Sequence, residues 1–308
     1  MNRRSFIQKT TAAAALSTLP ASTLLGKSKP KKITILHTND QHSRIEPFEI
    51  AEGSRNSNKG GFARRAKLIE RIRKEEENVL LLDAGDIFQG TPYFNFYGGE
   101  LEFKLMSAMK YDVATIGNHD FDNGLEGLRK QLPHASFEFV SANYDFSNTI
   151  LENTFKSYKI IQKDGVKIGI FGLGIKLDGL VSKDLYKETV YKDPIETAQE
   201  MTRILKNQKC DLIICLSHLG YKYKEEELVS DVILAQSTKD IDLIIGGHTH
   251  TFLDAPVELL NADHKTVLVN QVGWAGLYLG RIDFYLDIMA RQKTYAYNTL
   301  LIDAHTLA

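Results

Sequence analysis

The sequence predicts an α/β domain, and two observations carry that reading. From Lys32 onward, short apolar and β-branched runs alternate with segments of helical period. Clusters of Asp, Asn, His and Gly stand where those apolar runs stop. Ile33–His37 reads as the first strand. Phe62, Ala66, Ile69 and Ile72 then mark one face of a helix that ends in the charged segment Arg73–Glu77. Val79–Leu82 is a second strand, Leu101–Met109 a helix and Asp112–Ile116 a third strand. A helical stretch near Leu125–Gln131 precedes Phe137–Val140. Tyr158–Gln162 and Val166–Gly172 flank Lys163-Asp164-Gly165, the turn chemistry of a hairpin. Asp193-Pro194-Ile195-Glu196 offers a capping aspartate, a first-turn proline and a reciprocal glutamate, opening a helix to about Asn207. Leu212–Leu216 is a strand, Glu225–Gln236 a helix and Leu243–Ile245 a strand. Thr266–Asn270 and Leu277–Leu286 read as a terminal antiparallel pair. Neither repeats nor low-complexity stretches interrupt this series.

At 308 residues the chain suits one large α/β core. A net charge of -1 with 25% charged residues gives no basic stripe for nucleic acid and no acidic tail. The two cysteines, Cys210 and Cys215, are five positions apart in an apolar run. On one strand they would face opposite sides about 16 Å apart, beyond disulfide reach. Residues 1–29 read as an address: Arg3-Arg4-Ser5-Phe6-Ile7, a short Ala/Leu/Thr run, then Gly26-Lys27-Ser28-Lys29-Pro30. The paired arginines resemble a twin-arginine signal, which implies export to a periplasm or beyond. The apolar run is shorter than the ~20 residues that a membrane span requires, so residues 30–308 are expected to form the mature domain without a span.

The clusters at strand ends carry the chemistry. They are Asp40-Gln41-His42, Gly85-Asp86, Gly117-Asn118-His119-Asp120, His218 and Gly247-His248-Thr249-His250. In α/β sheets, ligand sites gather at the carboxyl ends of strands. Residues two apart on extended backbone point the same way, so Asp40 with His42, and His248 with His250, can each aim at one locus. Adjacent Asn118 and His119 must diverge, one toward metal and the other toward substrate. Each motif alone has a bland reading: Asp-x-His is common, Gly-Asn-His-Asp makes a turn, and His-Thr-His suits a surface. Their joint occurrence at strand ends supplies donors for two divalent cations sharing one carboxylate. His37, His134, His264 and His305 read as structural, and Asp83 as a strand terminus. Mixed O and N donors without thiolate suit Zn, Mn, Fe or Co.

Four of these segments, His37–His42, Gly85–Pro92, Gly117–Asp122 and Gly246–His250, resemble the catalytic domain of the 5′-nucleotidase family within the calcineurin-like metallophosphatases. The likeness runs from about Ile33 to Leu286. It implies a four-layer αββα sandwich with a two-metal centre. By that resemblance Asp40, His42, Asp86 and His250 hold one metal, and Asp86, Asn118, His218 and His248 the other. Two such ions about 3.5–4 Å apart would polarise a phosphoryl oxygen and generate a metal-bound hydroxide for attack on phosphorus. His119 would stabilise the transition state or protonate the leaving alkoxide. Its orienting carboxylate, by resemblance, is Asp122, with Asp120 the competitor. Arg64 and Asn118 are candidates for binding substrate, although a structural arginine fits Arg64 equally. Secreted members usually add a C-terminal nucleotide-binding domain, for which Ala308 leaves no room, so a separately encoded partner is one expectation.

The leading function is thus an exported phosphomonoesterase acting on 5′-nucleotides or similar small phosphate esters. A phosphodiesterase for cyclic nucleotides or nucleotide sugars is the alternative. A non-catalytic phosphate- or metal-binding protein would predict a broken ligand set, which this sequence does not have.

Overall fold

The computed structural model describes residues 29–224 and 228–307. In chain order the first half holds β1 (Lys31–Thr38), α1 (Phe62–Glu75), β2 (Val79–Asp83), α2 (Pro92–Tyr97), α3 (Glu100–Ala108), β3 (Val113–Ala114), α4 (Gly124–Gln131), β4 (Glu138–Phe139) and β5 (Tyr144–Asp145). The second half holds β6 (Tyr158–Lys163), β7 (Val166–Gly174), α5 (Lys183–Tyr186), β8 (Val190–Tyr191), α6 (Pro194–Asn207), β9 (Leu212–His218), α7 (Asp231–Ser237) and β10 (Leu243–Gly246). After them come β11 (Val257–Leu260), β12 (Thr266–Asn270), β13 (Tyr278–Asp287) and β14 (Gln292–Leu301).

Two six-stranded sheets result, ordered β14-β13-β1-β2-β3-β4 and β11-β12-β10-β9-β7-β6. Each has a parallel centre, β1 to β4 in one and β7, β9, β10 and β12 in the other. Antiparallel strands finish both edges of the second sheet and the β14 edge of the first, whose other edge is the parallel strand β4. The residue pattern explains the layering. Ile33, Ile35, Leu80 and Leu82 point into a core shared with Leu212, Ile214, Leu216, Leu243 and Ile245 of the facing sheet. Their neighbours Leu36, Val79 and Leu81 face the opposite way, toward α1, α3 and α4. Ile213, Cys215 and Ile244 likewise turn outward, toward α6 and α7. Strands buried on both faces need no polar alternation. The layers run helix, sheet, sheet, helix, the expected αββα sandwich.

Local chemistry sets the element ends. Asp164 and Gly165 both adopt positive φ, 46° and 77°, so the β6–β7 hairpin closes on the two-residue turn its sequence specifies. The Asp193 carboxylate accepts from the Glu196 amide at 2.8 Å and caps α6.

Three expectations need correction. Thr266–Asn270 does not pair with Leu277–Leu286: β12 joins β10 and β11 in one sheet, while β13 joins β1 and β14 in the other. Sequence neighbours were separated because both parallel sets close with an antiparallel partner. The helix expected over Glu225–Gln236 begins only at Asp231, capped by the Ser230 hydroxyl, with residues 225–227 outside the described set. The cysteines do not lie on opposite faces of one strand, because Cys210 precedes Leu212, where β9 begins. Both pack, unbridged, in the outer core beneath α6 and α7. The twin-arginine segment lies outside the described residues. Among the described residues no helix is long and apolar enough to cross a membrane.

Candidate metal centre

Both parallel sets end at one rim, as the 2.7 Å bond from His218 Nδ1 to the Ala84 carbonyl across the sheets shows. Three loops are laced together there. The amides of Asp40, His42 and Ser43 donate to the carbonyls of Gly85, Asp86 and Ile87. The His248 amide donates to both Asp40 carboxylate oxygens at 2.9 and 3.1 Å. Gly247 has to be glycine: a Cβ there would stand 2.7 Å from His218 Nδ1 and 2.9 Å from the Ala84 carbonyl.

This lacing gathers two adjacent groups of donors, Asp40 with His42 and His250, and Asp86 with His218 and His248. In the first, His42 Nε2 faces His250 Nε2 at 2.9 Å, and His250 Nε2 lies 3.4 Å from Asp40 Oδ1. In the second, His218 Nε2 is 3.1 Å from Asp86 Oδ2. The same Asp86 oxygen lies 3.9 Å from His42 Nε2, so this carboxylate stands where the groups meet. Asn118 Oδ1 lies 2.7 Å from His248 Nδ1 and adds an amide oxygen to the second group. Metal–ligand bonds of about 2.1 Å at angles of 90–120° put neighbouring donors about 3.0–3.6 Å apart. The observed spacings bracket that range.

Electrostatics argues the same way. A carbonyl only accepts, so His218 Nδ1 carries the hydrogen and Nε2 is left buried without a hydrogen-bond partner. An imidazole lone pair facing a carboxylate at that distance needs a cation between them. Without a metal, a proton fills the place: burial opposes it, but Asp86 draws His218 up to about 10. Burial works to raise Asp86, yet His218, His42 and His119 hold it well below the usual carboxylate range. Burial lowers His42, and burial together with the nearby His218 lowers His248 to about 4. Neutral imidazoles and an ionised carboxylate are the forms that bind metal.

The backbone is strained where donors cluster. Asp40, His42, Asp86, His248 and His250 all have positive φ, between 48° and 72°. Each such non-glycine residue costs about 1–2 kcal/mol, which surrounding structure must offset. Extended spacing therefore does not unite His248 with His250; left-handed turns send them to adjacent groups.

Supporting residues are buried. Asp83 accepts from Thr38 Oγ1, Gln41 Nε2 and the Gly85 amide. Gln41 in turn accepts from Arg65, which is 1% exposed and lies over the Phe62 ring. Asp120 accepts from the amides of Asp86, Ile87, Phe88 and Gly117, holding the loop that presents Asp86. His119 diverges from Asn118: its Nδ1 meets Asp122 Oδ2 at 2.8 Å, and its ring edges His42 at 5.4 Å. Hydrogen bonding to Asp122 raises the His119 pKa despite partial burial. His37 is structural, lowered to about 3 by burial and bonded to Asn270 of the facing sheet.

Of the two roles weighed for Arg64, its hydrogen bonds fit the structural one. Its guanidinium donates to the Asn58 carbonyl at 2.6 Å and to Asn58 Oδ1 at 2.7 Å, pinning the loop before α1. Sequence reasoning missed Trp274, whose indole stacks on His250 at 5.5 Å and 6° between planes. Its signal was being the single tryptophan, placed in Gly-Trp-Ala-Gly. Arg65 left no trace, since its apolar-face position looked like a helix-surface cation.

A sandwich with two adjacent oxygen- and nitrogen-donor groups at one rim is the architecture of a candidate metal-dependent hydrolase. Residues 33–252 match the calcineurin-like phosphoesterase family, and the chain belongs to it. That family comprises phosphoric-ester hydrolases whose chemistry implies divalent metal ions. The chain is 36% identical over 295 residues to a 5′-nucleotidase of Diplobatis ommata, covering 90% of this chain and 50% of that one. A solved 5′-nucleotidase precursor from Thermus thermophilus superposes with a TM-score of 0.81 at 33% identity, covering 90% of this chain and 55% of that one. The calcineurin-like phosphoesterase YfkN from Bacillus subtilis gives 0.72 at 28% identity, covering 88% and 90%. The chain spans about half the length of the curated 5′-nucleotidases it matches.

Proposed function

We propose that the chain is a dimetal-dependent phosphomonoesterase acting on 5′-nucleotides or similar phosphate monoesters. The observation that carries this reading is the position of Asp86, with one carboxylate oxygen 3.1 Å from His218 and 3.9 Å from His42. Asp40, His42, Asp86 and His250 would hold one cation, and Asp86, Asn118, His218 and His248 the other. When bound, such a pair supplies Lewis-acid polarisation of a phosphoryl oxygen and an acidified water. Zn, Mn, Fe and Co all suit these donors.

The chain's own residues supply the rest. Asp120 fixes the Asp86 loop through four amides, so the carboxylate is preorganised. His119 Nδ1 is taken by Asp122, which leaves Nε2 to hold a proton for the departing alkoxide. The Asp122 hydrogen bond raises the His119 pKa, which favours the protonated form. The test is a panel of nucleoside monophosphates, sugar phosphates and an aryl phosphate, run with elemental analysis on the same sample. Failure to release phosphate from any of them ends the proposal.

Diester cleavage is the second reading. A relative of the same kind of likeness, 33% identical, is named a trifunctional nucleotide phosphoesterase. Rates on an aryl diester against an aryl monoester decide between the two. We further propose that residues 1–29 direct export and that residues 30–308 act as one catalytic domain. The Arg3-Arg4-Ser5-Phe6-Ile7 motif supports this. Replacing both arginines by lysine should retain the protein in the cytoplasm, and unchanged fractionation would remove the export claim.

A further inference from the structure

His250 belongs to two places at once. Its Nε2 faces Asp40 and His42 in the first donor group, and its ring also lines a cleft of about 530 Å3. The rest of that cleft is chemically distinctive. Phe252, Trp274 and Tyr278 supply aromatic surface, while Arg55 and Lys59 supply two cations. Among the described residues no carboxylate lines it. Neither cation forms an ion pair among the described residues. Phe252 is 41% exposed, and its ring lies 4.3 Å from that of Tyr278 with 31° between planes, a platform open to a ligand. The loop that presents the cations is fixed: Arg64 grips Asn58, and Phe48 and Lys59 pair through backbone. The His42 ring edges both His119 and His250, so a leaving oxygen beside His119 is one imidazole away from this cleft.

We propose that the cleft is a leaving-group subsite for phosphomonoesters whose alcohol carries a planar ring and a second phosphate. This rests on the phosphomonoesterase reading above and names the substrate class of the same centre. The scissile phosphate would bind at the cations that the two donor groups hold, the ring would lie on the Phe252–Tyr278 platform, and the second phosphate would meet Arg55 and Lys59. Two unpaired cations in a cleft without acids favour an added dianion over a neutral alcohol, and the aromatic wall favours a base over a sugar alone.

The experiment compares kcat/KM of the manganese-loaded protein on adenosine 3′,5′-bisphosphate, AMP and p-nitrophenyl phosphate, for the natural chain and for Arg55→Ala/Lys59→Ala. Both side chains project from a loop, and a melting curve checks that the variant folds. The natural chain should favour 5′-phosphate release from the bisphosphate over AMP by about tenfold, the size of two partly exposed charge-assisted contacts. The double variant should lose that preference while p-nitrophenyl phosphate turnover stays within about twofold. No preference in the natural chain, or an equal loss on all three substrates, overturns the subsite. Absence of turnover on every substrate instead strikes the phosphomonoesterase reading. Equilibrium dialysis with adenosine 3′,5′-bisphosphate then decides the subsite alone: it requires about tenfold weaker binding by the double variant, and an unchanged Kd refutes it.

Discussion

Asp86→Asn isolates the carboxylate shared by the two donor groups. Asn keeps the volume, and its Oδ1 can still accept the His119 amide hydrogen bond now made to Asp86 Oδ1 at 2.8 Å. What disappears is the negative charge between His218 and His42. A ligand that binds only the folded state stabilises it by RT ln(1 + [L]/Kd), about 2.7 kcal/mol at one hundred times Kd. If losing the shared charge weakens metal binding a hundredfold, the same metal concentration stabilises the variant by only about 0.4 kcal/mol. For a folded region of about 280 residues the unfolding entropy is roughly 0.6 kcal/mol/K, so the metal-linked rise in Tm falls from about 4.6 °C to under 1 °C. The assay is a pair of thermal melts, with manganese and with chelator, for each protein. The readout is the increment between the two, which cancels any change the substitution makes to the metal-free fold. An Asp86→Asn protein that keeps the full increment would refute the shared-carboxylate reading.

Other substitutions test separate links. His119→Ala should leave metal content intact by elemental analysis while kcat falls about 10²- to 10⁴-fold, as for a lost general acid. Asp122→Asn removes the partner that raises His119, so the alkaline limb of the kcat/KM profile should move to lower pH; a limb that stays put detaches Asp122 from His119. Arg65→Met leaves Gln41 Oε1 buried without its donor and should destabilise the metal-free protein by about 1–3 kcal/mol in urea unfolding. Burial raises Asp231 to about 8, against 3.8 for the free side chain. The folded state therefore holds a proton that the unfolded state releases, and this group's contribution falls as pH rises from about 4 to about 8. Asp231→Asn should flatten that slope, making the variant's advantage in urea midpoint larger at pH 8 than at pH 5.

The layers were legible because they depend on side-chain pattern, which is local. Ile33, Leu80, Leu212 and Leu243 sit in apolar runs bounded by turn residues, and burying such runs on both faces leaves few arrangements besides sheets covered by helices. Pairing among the last strands was not legible. The outer strand β14 is largely exposed, so Gln292–Leu301 carries no core signature to attract β13. The short α2 buries only Phe94, with four of its six residues exposed, too little period to register.

The centre divides along the same line. Donor types and strand-end positions could be read from sequence, because a carboxylate or imidazole after an apolar run is visible as such. How those donors are aimed could not. Extended spacing suggested that Asp40 with His42, and His248 with His250, point together; the first pair does share a group and the second is split, and the chain turns left-handed at all four and at Asp86. Glycine is the usual residue for such φ values, and a histidine or aspartate held there must be secured by contacts far away in sequence. Here those contacts include the Asp40 carboxylate on the His248 amide, 208 positions on, and the Asp120 carboxylate on the Asp86 amide. No local pattern encodes that support. A site assembled from strained donors is therefore recognisable by composition in one dimension, and its division into two adjacent groups is decided only by tertiary hydrogen bonds.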